Sequence, residues 1–319
     1  MHVLLTGGCG YIGSVLASKL LELELRVTVV DIMWFGNYLP AHRNLTVIKQ
    51  DIRNAESIPM KSVDVIIHLA NIANDPCGAL NPKLSWEVNV LATMHLVERA
   101  IRYGVGQFIY ASSGSVYGIK EEAQVTEELS LLPISDYNKT KMISERVLLS
   151  YKDSIVIQCI RPATVCGFSP RMRLDLSVNM LTMQALTKGK ITVFGGEQIR
   201  PNIHMQDMVE VYLHLLNLGG TAPGIYNAGF ENMSILDIAK TIAEFIPADI
   251  VVTESNDPRS YRLNSDKLLN TGFRPKYKVI DGIGEVIAAY RSGRIKDEDD
   301  CYNIKAMRKN IDLKEYCNV

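Results

Sequence analysis

The sequence predicts an α/β protein, a doubly wound parallel sheet followed by a smaller C-terminal lobe. Three observations predict it. Short, near-continuous apolar runs of the kind found in strands covered on both faces alternate with longer amphipathic stretches as far as Arg161. The first run, His2 to Thr6, opens directly into Gly7-Gly8-Cys9-Gly10-Tyr11-Ile12-Gly13. The second, Arg26 to Asp31, ends in a carboxylate.

The glycines of the first turn satisfy two spacings at once, GxGxxG over Gly8, Gly10 and Gly13 and GxxGxxG over Gly7, Gly10 and Gly13. Glycines so placed permit a tight turn and let a pyrophosphate approach a helix N-terminus, where free N–H groups and the helix dipole favour an anion. The amphipathic stretch Tyr11 to Leu25 supplies that helix. Asp31 stands 18 residues after Gly13, close to the roughly 20 expected of a carboxylate that binds the adenosine ribose hydroxyls in a Rossmann-type sheet. Ile32, Met33 and Trp34 follow it with no arginine to meet a 2′-phosphate, which favours NAD over NADP. Further strands are expected at Asn44 to Gln50, Val63 to Leu69, Gln107 to Ala111 and Ser154 to Arg161, with long helices over Asn81 to Tyr103 and Asp136 to Tyr151.

The chemistry concentrates after the fifth strand. Ser112-Ser113-Gly114-Ser115-Val116-Tyr117-Gly118 closes that strand, and Tyr137-Asn138-Lys139-Thr140-Lys141 opens the following helix. Tyr137 and Lys141 are four apart and share one helix face. An ammonium fixed beside the phenol is expected to lower its pKa and let it take a proton from a sugar hydroxyl. Ser113 is placed to hydrogen-bond the same hydroxyl.

Composition narrows the remaining possibilities. Lys plus Arg number 34 against 35 Asp plus Glu, a net charge of −1 that gives no reason to expect nucleic acid as a partner. The first strand begins at His2, and no run of about 18 apolar residues offers a membrane span; a cytoplasmic location is expected. The six cysteines are scattered without CxxC spacing, which suits free thiols and no structural metal site.

On these residues the chain resembles the extended short-chain dehydrogenase/reductases, specifically the NAD-dependent nucleotide-sugar epimerase/dehydratase family, from Met1 to about Tyr290. The resemblance implies a catalytic triad of Ser113, Tyr137 and Lys141. It implies a cofactor site of Gly7, Gly10, Tyr11, Ile12, Gly13 and Asp31, with Asp51 and Ile52 at the adenine, Leu69 and Ala70 beneath the dinucleotide, and Asn89 beside it or bracing the strand ends; Lys141 also belongs to this set. His68 reads as a packed strand residue. Ala73 stands where some relatives carry a lysine. For the substrate, a nucleotide-diphosphate sugar, the resemblance points to Thr164, which replaces a frequent asparagine, and to Asn179, Arg200 and Arg259. The segment Ser169 to Leu176 is similar to a loop of bacterial surface-polysaccharide enzymes, GDP-heptose 4-dehydrogenases among them, which leaves Arg171 and Arg173 as open candidates for phosphate.

The implied organisation is an NAD-binding domain of residues 1–161 plus about 201–229, a substrate-binding lobe of about 162–200 and 230–293, and a charged tail, 294–319, expected to pack loosely or touch a neighbour. A homodimer through the helices of residues 81–103 and 136–151 is implied as well. Family dehydratases place a carboxylate directly after the catalytic Ser or Thr, and here Gly114 and Ser115 occupy those positions. The expected reaction is therefore 4-epimerisation through a 4-keto sugar. A 4-dehydrogenase or ketoreductase is the alternative, and a dehydratase or a non-catalytic NAD-binding sensor is further off.

Overall fold

The computed structural model describes residues 1–255 and 260–310. Strand β1 (His2–Thr6) leads into helix α1 (Tyr11–Glu22), then β2 (Arg26–Asp31), β3 (Leu45–Lys49) and β4 (Val65–His68). A short helix α2 (Asp75–Gly78) precedes α3 (Pro82–Trp86) and α4 (Ala92–Arg102), followed by β5 (Gln107–Ala111), α5 (Asp136–Leu149) and β6 (Val156–Pro162). These strands and the later β10 form one seven-stranded sheet of order β10-β6-β5-β4-β1-β2-β3, with every pairing parallel. The fold class expected from the apolar runs is thus observed. Strand β1 is buried at every residue, as covering both faces with helices requires.

The single helix expected over Asn81 to Tyr103 is interrupted. Asn81 caps its start by accepting from the Leu84 N–H at 3.0 Å, and a π turn, Glu87–Leu91, separates α3 from α4. Such turns absorb an extra residue and re-aim a side chain. Here that side chain is Asn89, which accepts from Ile72 N at 2.8 Å and donates to Thr140 Oγ1 at 3.0 Å, tying the loop after β4 to α5.

Beyond β6 the chain builds the smaller lobe from β7 (Thr164–Cys166), α6 (Ser177–Lys188), β8 (Lys190–Phe194) and β9 (Ile199–His204). It then returns through α7 (Met205–Leu218), which packs on α1, to β10 (Gly224–Ala228), the seventh strand of the large sheet. Strands β11 (Glu231–Ser234), β9 and β7 make a three-stranded sheet. Helix α8 (Ile235–Phe245), strand β12 (Asp249–Thr253), paired with β8, and helices α9 (Asp266–Asn270) and α10 (Val279–Arg291) complete the lobe. Its core is separate from those of the large sheet and includes Leu181, Ile191, Ile238, Ile242 and Ile283.

The described part of the tail, up to Asn310, departs from the expected loose packing. Residues Asn303–Asn310 form helix α11, in which Ala306 and Met307 are buried and Met307 joins the apolar cluster of the large sheet. The charged run at residues 296–300 hides this, because the apolar positions that anchor the segment come just after it.

Candidate active site

The strand order reverses between β1 and β4, and ligands of open parallel sheets bind outside the strand ends at such a point. A cavity of about 440 Å³ opens there, lined by Gly7, Gly10, Tyr11, Ile12 and Gly13 after β1 and by Leu69 and Ala70 after β4. Asp31, Asp51 and Ile52 line one end, and Ser113, Tyr137, Lys141, Thr164 and Arg200 line the rest. Most of the residues singled out in the sequence therefore line one cavity.

The glycine turn is built for close approach. Gly7 has φ +73°, and a Cβ on Gly13 would stand 2.2 Å from the Gly7 carbonyl oxygen, a contact no other residue type tolerates. Asp31 is fixed at the end of β2 by accepting from Cys9 N at 2.9 Å and Met33 N at 2.7 Å. Burial raises its pKa against the pull of those two N–H groups. Asp51 accepts from Arg53 N at 2.8 Å and takes the Arg53 fork at 3.0 and 2.9 Å. A glycine turn opening a helix, a carboxylate at the second strand end and a cavity running from Asp51 to Tyr137 together fit an elongated dinucleotide.

Ser113, Tyr137 and Lys141 meet at the cavity's other end. Ser113 caps the turn after β5; its Oγ accepts from Ser115 N at 3.2 Å and lies 2.7 Å from Ser115 Oγ, which donates to Asn138 Oδ1 at 2.6 Å. Lys141 is buried, donates to the Ala111 carbonyl at 2.6 Å and holds its ammonium 5.9 Å from the Tyr137 ring centre. Desolvation pushes the Lys141 pKa down to about 7, while Glu145 pulls it up. The expected lowering of Tyr137 is reversed in this environment. Burial pushes the phenol up to about 12, against the downward pulls of a hydrogen bond with Ser113 and the charge of Arg173, with Asp75 adding to the rise.

Two expected contacts lie off the cavity wall. Asn89 is spent on Ile72 and Thr140, so it braces the site. Asn179, expected at the nucleotide, accepts from Gly167 N at 3.0 Å and donates to Tyr11 Oη and the Arg173 carbonyl, each at 3.0 Å, which locks the lobe onto α1. Arg259 lies outside the described residues. His68 is buried between Thr6 Oγ1 at 2.6 Å and Thr93 Oγ1 at 2.9 Å, and burial with the nearby Lys141 lowers it to about 3, a packed neutral imidazole.

The sequence did not single out Asp75, Asn303 or Phe35, all of which line the cavity. Asp75 accepts from Ser135 Oγ at 2.6 Å. Arg173, left open by the sequence, forks onto Asp175 at 3.0 and 2.9 Å, and Asn74 donates to the same carboxylate at 3.0 Å. The adjacent prolines and loop glycines gave no signal that these groups face inward. Among the described residues no cluster of metal-ligating side chains occurs, and no helix is long and apolar enough to cross a membrane.

Comparison with known proteins agrees with this geometry. A UDP-glucose 4-epimerase of Streptococcus mutans is 26% identical over 332 residues, covering 94% of this chain and 99% of its own length. An uncharacterized UDP-glucose epimerase of Bacillus subtilis is 32% identical over 265 residues, covering 76% and 82%. The crystal structure of UDP-glucuronic acid 4-epimerase from Bacillus cereus, in complex with UDP-glucuronic acid and NAD, superposes with a TM-score of 0.80 at 26% identity, over 92% of this chain and 99% of that one. Residues 3–229 match the NAD dependent epimerase/dehydratase family, and the chain, an enzyme with NAD as its cofactor, belongs to that family.

Proposed function

We propose that the protein is a nucleotide-sugar 4-epimerase working through a 4-keto sugar. One observation carries this reading: Ser113, Tyr137 and Lys141 converge on the cofactor cavity, while Gly114 and Ser115 beside Ser113 bring no carboxylate. In this reading the glycine turn, Asp31 and Asp51 hold the dinucleotide, and Thr164 and Arg200, with Arg259, hold the sugar nucleotide. NAD, held there, would supply the acceptor and then the donor for the C4 hydride. Ser113 Oγ orients the C4 hydroxyl, and Tyr137 takes its proton and later gives it back. Lys141 holds a cation within reach of the phenol, which offsets the negative charge Tyr137 must carry as a phenolate before it accepts that proton.

NMR of the protein with UDP-, GDP-, CDP- and dTDP-sugars in D2O, with and without added NAD, tests the reading. A C4 epimer formed with no net NADH and no ring deuterium supports it. A 4-keto product accumulating with NADH would instead make it a 4-dehydrogenase.

A second reading is kept by Asp75, a carboxylate that reaches the cavity from the start of α2 and lies close enough to raise the Tyr137 pKa. If it abstracts a proton at C5, the outcome is dehydration or 5-epimerisation, and deuterium at C5 or C6 reports it. Assembly as a homodimer is supported by Trp86 and Leu91, 36% and 48% exposed on the run from α3 to α4. Light scattering measures it.

A further inference from the structure

Arg171 is a buried cation with no carboxylate in direct contact among the described residues. It is 3% exposed and lines the cavity that holds the glycine turn and Asp31. Its guanidinium lies 4.1 Å over the Phe35 ring and donates to Asn303 Oδ1 at 2.6 Å. No carboxylate oxygen lies within 4.0 Å of it among the described residues; Asp175, bonded to the Arg173 fork, and Asp31 act on it only from further off. Burial lowers its pKa to about 10. Holding an ionised group in such surroundings is costly unless an anion completes the site.

The loop that carries Arg171 is fastened to the first turn of α1. Tyr11 Oη donates to the Gly167 carbonyl at 2.7 Å, and Ser169 Oγ donates to the Tyr11 carbonyl at 2.7 Å with Ser14 Oγ at 3.0 Å. Arg171 follows two residues later and lines the same cavity as Gly10, Tyr11 and Ile12, which open α1. From its other side it is held by the tail, whose Cys301 carbonyl accepts from Leu174 N at 2.8 Å and whose Met307 is sunk in the core.

We propose that Arg171 is a cationic ligand of the dinucleotide's diphosphate, and that residues 299–310, acting through Asn303, strap the dinucleotide into its cleft so that it stays bound between turnovers. A guanidinium fork matches phosphate oxygens and is backed here by an aromatic face and an amide. The inference rests on the NAD site but not on the reaction assigned to it, because every measurement below is made without a sugar nucleotide that can react.

The test is calorimetry of cofactor-stripped full-length protein with NAD, NADP, ADP-ribose, adenosine and UDP. Arg171→Met is expected to weaken NAD and ADP-ribose by roughly ten- to hundredfold, the scale of a charge-assisted hydrogen-bond pair, with adenosine unchanged. Arg171→Lys is expected to fall between, which keeps the question open to measurement if the methionine variant does not fold. Asn303→Ala is expected to release NADH at least several-fold faster in a fluorescence chase. Unchanged NAD affinity in a folded Arg171 variant overturns the assignment. A loss confined to UDP would give Arg171 to the sugar nucleotide, and a loss confined to NADP would give it to a 2′-phosphate; either result also overturns it.

Discussion

Arg161 lays its guanidinium along Glu145, Nε 2.9 Å from one carboxylate oxygen and Nη2 2.7 Å from the other, with both side chains almost wholly out of solvent. The pair joins β6, whose end borders the cavity, to α5, which carries Tyr137 and Lys141. Ser112 adds its hydroxyl to the same carboxylate, and Arg161 also donates to Tyr117 Oη at 2.8 Å. Removing one partner leaves the other charged and buried. Arg161→Met is expected to cost ~3–5 kcal/mol in urea unfolding, and the Arg161→Met/Glu145→Leu double variant to recover most of it. A loss below ~1 kcal/mol would place the pair in solvent.

Lys141 sets stability against activity. Its pKa falls from 10.5 in the unfolded chain to about 7 in the folded one. Between those values the unfolded chain holds the extra proton, so stability rises with pH across that window and the penalty is complete below it. Lys141→Met is expected to abolish turnover and yet raise stability by ~1–3 kcal/mol at pH 7 or below. That gain shrinks as the pH approaches 10. A variant less stable than the parent at every pH would show that the bond to Ala111 outweighs desolvation.

Tyr137→Phe is expected to lower kcat by ~10²–10⁴-fold while calorimetry finds NAD affinity within about twofold of the parent. In the cofactor-free protein the phenol, raised to about 12, gives no phenolate absorbance at pH 9 in a difference spectrum against the Phe variant. A phenolate signal by pH 8 would mean that Lys141 and Arg173 outweigh burial.

Gly13→Ala places a methyl 2.2 Å from the Gly7 oxygen. The turn must open, and NAD binding is expected to weaken by at least ~100-fold, with a stability loss of ~1–3 kcal/mol. Retained affinity would argue that the turn does not carry the diphosphate.

The parts of this molecule that the sequence displayed are those with local causes. Continuous apolar runs produced the parallel sheet, the glycine spacing produced the first turn, and a separation of four placed Tyr137 and Lys141 on one face of α5. What it concealed depends on distant partners. Arg171 and Asn303 are 132 residues apart in the chain, and nothing near either announces the other. Of the two places open to Asn89, beside the cofactor or as a brace, a π turn selects the brace by aiming it at Ile72, while Asn179, expected at the nucleotide, is spent on Gly167, Tyr11 and Arg173. The downward shift expected of the Tyr137 phenol failed because spacing conveys the nearness of Lys141 and conveys nothing of the burial that opposes it.

The contact between Arg171 and Asn303 also bears on how the protein matures. Strand β2 and the glycine turn leave the ribosome early, yet Asn303 emerges only after the whole smaller lobe has been made. The clasp is therefore the last part of the cofactor cleft to be synthesised. Fusions or proteolytic trimming beside α11, distant in sequence from every glycine of the turn, will reach the nucleotide through Asn303 as well as the core through Met307.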